Sequence, residues 1–151
     1  MESNYDSLQL KNQLCFPIYL CAKELTRKYN KVLKKFNLTY TQYIVMMYFW
    51  EYKESNVKDL SKILLIDSST LTPLLRNLEK KGYLKREKAL NDERNLLISL
   101  TKKGLLLRDD VLEVPKEIGK CIDLEKTEAE TLYKLIYKTL IEVEKDINGQ
   151  K

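Results

Sequence analysis

The chain has no histidine. That removes zinc-finger and zincin sites and any Ser-His-Asp constellation, because each needs an imidazole as ligand or base. No metal site and no cofactor is expected. Glycine numbers 4 and proline 3 in 151 residues, which leaves little material for tight turns and points to long helices. No apolar run approaches the ~20 residues that cross a bilayer. The segment Met1-Glu-Ser-Asn-Tyr-Asp6 is polar and acidic, so no secretory signal and no membrane association is expected, and the chain is expected to be cytoplasmic. Cysteine is scarce, at 3. In a reducing compartment these thiols form no disulfide framework, and any disulfide would be transient or sensing.

What is present suits one domain or one protomer of an intertwined dimer. Hydrophobic residues make up 44%, charged residues 32%, and the net charge is +5. A mildly basic balance points only weakly to nucleic acid, so the position of the charge matters more.

Apolar residues recur at helical spacing from Leu14 to Phe36 (Ile18, Leu20, Leu25, Tyr29, Val32, Leu33), predicting a first helix ended by Asn37. Thr39-Tyr-Thr-Gln42 is a capping-box pattern and predicts a second helix to Tyr52, apolar almost all round and so central. Asn56 caps a short third helix with Val57, Leu60 and Ile63 to Leu65 inward. Ser68 or Asp67 caps a fourth, to about Lys81, with Leu71, Leu74, Leu75 and Leu78 inward. Its opposite face carries Ser69, Thr72, Pro73, Arg76 and Lys80. Two short helices joined by a three-residue turn, the second polar and basic outside, read as a helix-turn-helix.

Tyr83 to Lys88 and Asn95 to Leu100 alternate like strands, with the polar loop Ala89-Leu-Asn-Asp-Glu-Arg94 between them. A helix-turn-helix followed by such a hairpin is a winged helix. Thr101 caps a further helix, Pro115 kinks or divides it, and a last helix runs from about Leu124 to Ile147. The fold class is therefore mainly α with a small β-hairpin wing. Residues 1–151 form one protomer, 39–101 the winged helix-turn-helix lobe, and 1–36 with 102–151 the dimerisation helices.

Ser68, Ser69, Thr70, Thr72 and Arg76 suit phosphate and base-edge contacts from a helix in the major groove. Lys85, Arg86 and Lys88 suit contacts to the DNA backbone. Arg94 suits insertion in a minor groove, oriented by Asp92. A dimer needs two half-sites about one helical turn apart on double-stranded operator DNA.

Cys15 stands directly before a helical run. Pro17 fits comfortably only in a first helical turn, so Cys15 lies at or beside the N-cap. The helix dipole and the unpaired N–H groups there favour a thiolate. The alternative is a small apolar core cysteine. Cys21, six residues on, is offset around the helix and reads as a core thiol.

The stretch Asp92-Glu-Arg94-Asn-Leu-Leu-Ile-Ser-Leu100-Thr101 resembles the wing signature of the MarR family of dimeric winged-helix repressors. Asp67 to Gly82 is similar to the recognition helix of that family. A narrower resemblance rests on Asn12-Gln-Leu-Cys15-Phe and Leu38-Thr-Tyr40-Thr-Gln-Tyr43, which look like the OhrR branch, regulators sensing organic hydroperoxides. That resemblance implies an intertwined homodimer in which Cys15 is oxidised to sulfenic acid and Tyr29 and Tyr40 hydrogen-bond its sulfur. Pro17 departs from the pattern, which has an ordinary helix former there. Cys121 sits about where some members carry a resolving thiol, which would condense with the sulfenic acid to a disulfide. In the others a low-molecular-weight thiol such as bacillithiol or cysteine does so.

Tyr29 lies 14 residues past Cys15, ~20 Å along a helix at 1.5 Å per residue. Either the chain breaks after Cys15 or the phenol comes from the partner protomer, and an intertwined dimer favours the partner. Two rivals stand beside the hydroperoxide-sensing repressor. One is a MarR-type regulator gated by a small phenolic ligand; the other is a thiol peroxidase, against which the basic wing speaks.

Overall fold

A computed structural model describes residues 5–89 and 92–149, with the backbone alone at 89 and 92–95. The chain divides into two compact units, the first ending at Pro115 and the second starting at Lys116.

In the first unit two 3-10 turns, Asp6–Leu8 and Leu10–Asn12, precede helix α1, Cys15–Leu33. Pro17 is the third residue of α1, where a missing N–H removes no intrahelical bond. A 3-10 turn, Lys34–Phe36, and Asn37 at φ 54° end this segment, as an αL-tolerant asparagine should. Helix α2, Tyr40–Tyr52, begins with the full capping box of Thr39 and Gln42. Helix α3, Val57–Leu64, is capped by Asn56, whose side chain accepts from the Asp59 N–H. Three residues, 65–67, lead into helix α4, Ser68–Lys80. Leu65 adopts φ 52° to make that turn.

Strands β1 (Glu54–Ser55), β2 (Leu84–Ala89) and β3 (Asp92–Leu100) form an antiparallel sheet in the order β1-β3-β2. Leu84 pairs with Leu100 and Arg86 with Ile98, and a bulge lies between Lys88 and Ala89. The wing thus has a third strand, since Glu54 and Ser55 pair with Ser99 and Ile98. β3 also starts three residues earlier than the alternation implies. Asp92 and Arg94 lie within it and not in a loop, because backbone pairing with β2 makes a strand of residues that show no apolar alternation. Leu90 and Asn91, also expected in that loop, lie outside the described residues. Helix α5, Lys102–Asp110, is capped by Thr101, and helix α6, Val114–Gly119, starts one residue before Pro115.

The core of the first unit is built round α2. Val45, Met46 and Phe49 are fully buried there, with Leu33, Leu60, Leu71, Leu75, Leu78 and Ile98 around them. Ile63 and Leu65, expected inward, are exposed. α3 is only eight residues long, and the left-handed Leu65 turns the chain away before a second inward row can dock. On α1 only Val32 and Leu33 are buried, while Ile18 and Leu20 of the same apolar stripe are exposed.

The second unit carries helix α7, Lys126–Ile147, opened by a capping box between Glu125 and Glu128. None of its residues is buried, and Leu132, Leu135, Ile136, Leu140 and Val143 are all exposed.

Candidate functional site

Two groups of residues carry chemistry: the outer face of α4 with the wing, and the cysteine and tyrosines of α1 and α2.

Ser68, Ser69 and Thr70 stand exposed in the first turn of α4, and Arg76 is exposed two turns on. Thr72 is partly buried, and its hydroxyl donates to the Ser68 carbonyl at 2.8 Å. Pro73 sits on the same outer face within the helix. It offers no N–H to the Ser69 carbonyl. On β2 the basic residues differ from one another. Lys85 is exposed and paired with Glu87 at 2.9 Å, and Lys88 is exposed. Arg86 is engaged instead with Glu79 of α4, through Nε at 2.8 Å and the terminal nitrogen at 2.5 Å. Hydrogen bonding from Arg86 holds the Glu79 carboxyl below its usual range, against a small opposing effect of burial. Arg86 therefore ties the wing to α4. The side chains of Asp92 and Arg94 lie outside the described residues.

Cys15 is the first residue of α1 and is exposed. Its N-cap, Leu14, supplies no side-chain acceptor, so no side-chain cap competes for the N–H groups of that first turn. Cys21, expected in the core, is exposed. Periodicity marks the apolar side of a helix without saying whether this chain or another covers it. Cys121 is exposed in the second unit, its thiol directed at the Glu117 carbonyl at 3.8 Å.

α1 runs unbroken from Cys15 to Leu33, which removes the alternative of a chain break after Cys15. Tyr29 and Tyr40, eleven positions apart, come together: their rings stack with centroids 4.0 Å apart and planes at 16°. The Tyr40 N–H donates to Asn30 Oδ1 at 2.7 Å, fastening the start of α2 to α1. Burial pushes both phenols above their ordinary pKa; the neighbouring phenol opposes this at Tyr29 and adds to it at Tyr40. A phenol is protonated at neutral pH even at its ordinary value, so both hydroxyls are in the state that can donate. Tyr43 lies 6.1 Å from Tyr29 and 6.0 Å from Trp50, extending the aromatic row into the core.

Three features escaped sequence reasoning. Gln42, nearly buried, donates from Nε2 to Asn77 Oδ1 of α4 at 2.9 Å. Trp50 Nε1 donates to the Gly104 carbonyl at 2.8 Å. Glu79 receives Arg86. The partners lie 35, 54 and 7 positions apart, and only the capping-box position of Gln42 carried any local signal. Among the described residues no cluster of acidic and sulfur ligands could hold a metal, and no helix is long and apolar enough to cross a membrane.

Comparison with known proteins agrees with this geometry. The family model for the transcriptional regulator SarA/Rot matches residues 27–111. The organic hydroperoxide resistance transcriptional regulator of Bacillus subtilis is 39% identical over 135 residues, covering 89% of this chain and 90% of its own. The HTH-type regulator SarZ of Staphylococcus saprophyticus is 43% identical over 133 residues, covering 85% and 91%. Reduced AbfR bound to DNA, from Staphylococcus epidermidis, superposes with a TM-score of 0.76 at 34% identity, over 91% of this chain and 96% of that one. A disulfide form of AbfR superposes at 0.63 and 33% identity, over 95% of each chain. These relatives are transcriptional regulators, not enzymes. With a helix-turn-helix, a three-stranded wing and these relatives, the chain belongs to the MarR/SarA family of DNA-binding winged-helix regulators.

Proposed function

We propose that this regulator is a homodimeric repressor that releases operator DNA when an organic hydroperoxide oxidises Cys15. The observation that carries the reading is the stacked pair Tyr29 and Tyr40, two phenols in one place. The pair is ~20 Å along α1 from the Cys15 of its own chain at 1.5 Å per residue. It therefore serves the Cys15 of the partner protomer. The exposed apolar residues of α1 and α7 supply the surface on which two chains pair.

The Cys15 thiolate attacks the terminal oxygen of the hydroperoxide. An S–O bond forms, the O–O bond breaks, and the alcohol leaves after taking up a proton; the sulfur is oxidised by two electrons to sulfenic acid. Phenol donors stabilise the thiolate by hydrogen bonding to its charged form. Cys121 of the dimer, or a low-molecular-weight thiol, then attacks the sulfenic sulfur, forming a disulfide and releasing water. The AbfR relative is known both reduced on DNA and in a disulfide form, which supports the same sequence here.

On the DNA side, Ser68, Ser69, Thr70, Thr72 and Arg76 face the major groove. Lys85 and Lys88 contact the phosphate backbone, and Asp92 with Arg94 places the wing in the minor groove. Arg86 acts indirectly, by holding β2 to α4.

The test is Cys15→Ser, assayed on a duplex that the reduced wild-type protein selects from a random library. The variant is expected to bind that duplex like wild type and to ignore cumene hydroperoxide. Peroxide-triggered release by Cys15→Ser overturns the assignment of the sensor.

A further inference from the structure

A signal arriving at the Tyr29–Tyr40 pair, where α2 starts, has to reach a recognition helix with which the pair shares no sequence neighbour. The first turn of α2 holds both ends of that problem. Tyr40 is its first residue, stacked on Tyr29 and fastened to Asn30. Two residues on, Gln42 is 8% exposed. Its Oε1 accepts from the Thr39 N–H at 3.2 Å, closing the N-cap, and from Lys81 Nζ at 2.9 Å. Its Nε2 donates to Asn77 Oδ1 at 2.9 Å. Lys81 Nζ also donates to the Asn37 carbonyl at 2.5 Å. One amide thus belongs at once to the cap that sets the entry angle of α2 and to the last turns of α4.

We infer that Gln42 is the positioning residue that couples the Tyr29–Tyr40 pair to α4, through its hydrogen bond to Asn77. This rests on the hydroperoxide-sensing reading above. The physical reason is that the amide has no slack. A nearly buried Gln that loses a partner carries an unsatisfied polar group, a state disfavoured by far more than a surface hydrogen bond. When α2 turns about its N-terminus, the Gln42 side chain turns with the cap. Asn77 must then follow or the bond must break. Asn77 lies one residue beyond the DNA-facing Arg76, so a shift of Asn77 re-aims that face. Lys81, bound to the same Oε1, keeps the amide from flipping, because an ammonium cannot face an NH2 group.

The experiment compares wild type, Asn77→Ala, Asn77→Asp and the double variant Gln42→Glu with Asn77→Asp on the selected duplex, before and after cumene hydroperoxide. Cys15 sulfenic acid is followed separately by dimedone trapping. Asn77 is exposed, so its truncation leaves the core intact. Asn77→Ala is expected to oxidise at the wild-type rate while losing about 2- to 30-fold of the oxidation-induced drop in affinity, the range by which residues along a coupling route act. Asn77→Asp keeps the acceptor for Gln42 Nε2 and is expected to restore the wild-type response. Gln42→Glu combined with Asn77→Asp keeps the acceptor for Thr39 and Lys81 but sets two carboxylates with no donor face to face, and the double variant is expected to behave like Asn77→Ala. It supplies the answer if Asn77→Ala binds DNA too weakly to measure. A wild-type protein whose affinity ignores oxidation overturns the sensing reading itself. A responsive wild type with an equally responsive Asn77→Ala and double variant overturns the coupling alone.

Discussion

Replacing Gly104 by alanine puts a methyl group where the first unit has no room. Gly104 is the third residue of α5, and its N–H donates to Thr101 Oγ1 at 3.0 Å. A Cβ there would run into the Tyr83 carbonyl and come within 2.9 Å of Leu100 Cδ1. The Tyr83 carbonyl cannot retreat easily. It accepts from the Thr101 N–H at 3.1 Å and from the Thr101 hydroxyl at 3.0 Å, so it is held by the same cap that starts α5. Overpacking of this kind costs about 1–3 kcal/mol. Displacing α5 also strains the bond from Trp50 Nε1 to the Gly104 carbonyl, which adds about 1 kcal/mol. Alanine is a better helix former than glycine and returns about 1 kcal/mol. The net expectation is a destabilisation of about 2 kcal/mol. For a chain of this length that lowers Tm by about 4–8 °C. Circular dichroism measures it, with both proteins at one concentration because association shifts Tm. Trp50 is the chain's one tryptophan, so its emission reports the same joint directly. Gly119→Ala is the control, since a Cβ at Gly119 meets nothing within 4 Å. Equal Tm and unchanged emission for Gly104→Ala would refute the claim that the wing root and α5 are in unyielding contact.

Two further expectations follow from other parts of the molecule. The Glu79 carboxyl is held below its usual range in the folded state by Arg86. Its contribution is therefore full above the unfolded value and is lost as pH falls through the lowered folded value. Urea unfolding of wild type and Glu79→Gln should differ by about 1 kcal/mol near neutrality, the scale of a partly exposed pair, and converge in acid below the ordinary carboxylate range; a difference that persists there would show that the pair is not its source. Cys121→Ser should abolish a covalent dimer seen on a non-reducing gel after hydroperoxide, whereas a wild-type protein that stays monomeric on the gel and gains the mass of a small thiol would remove Cys121 from the reaction.

Local chemistry was readable ahead of the structure, and long-range pairing was not. Thr39 with Gln42, Asn56 with Asp59, and Thr101 each declared a helix start through a side chain within three residues of its partner N–H. The turn of 65–67 and the glycine at φ 78°, Gly82, were legible for the same reason. β1 was not, because two residues, Glu54 and Ser55, have no period to show; they become a strand only because β3 passes beside them. Ile63 and Cys21 were misplaced because an apolar or small side chain on a helix says nothing about which surface covers it. The meeting of Tyr29 and Tyr40 came into view through family resemblance, since no spacing rule brings two helices together at two particular rings. The bond from Gln42 to Asn77 spans 35 positions, and neither residue looks unusual alone.

The bareness of α7 has a consequence for how much of this protein must exist before it works. A helix of 22 residues with no buried side chain gains little from its own chain, and most of a helix's stability in a protein comes from packing its apolar face. In the homodimer proposed above a second molecule covers that face, and mass action then governs the order of the helix. On dilution α7 should fray first, while the first unit persists. A newly made chain would remain a substrate for proteases until it met another. On that reading copy number becomes a quality threshold: scarce chains are cleared, and paired chains endure.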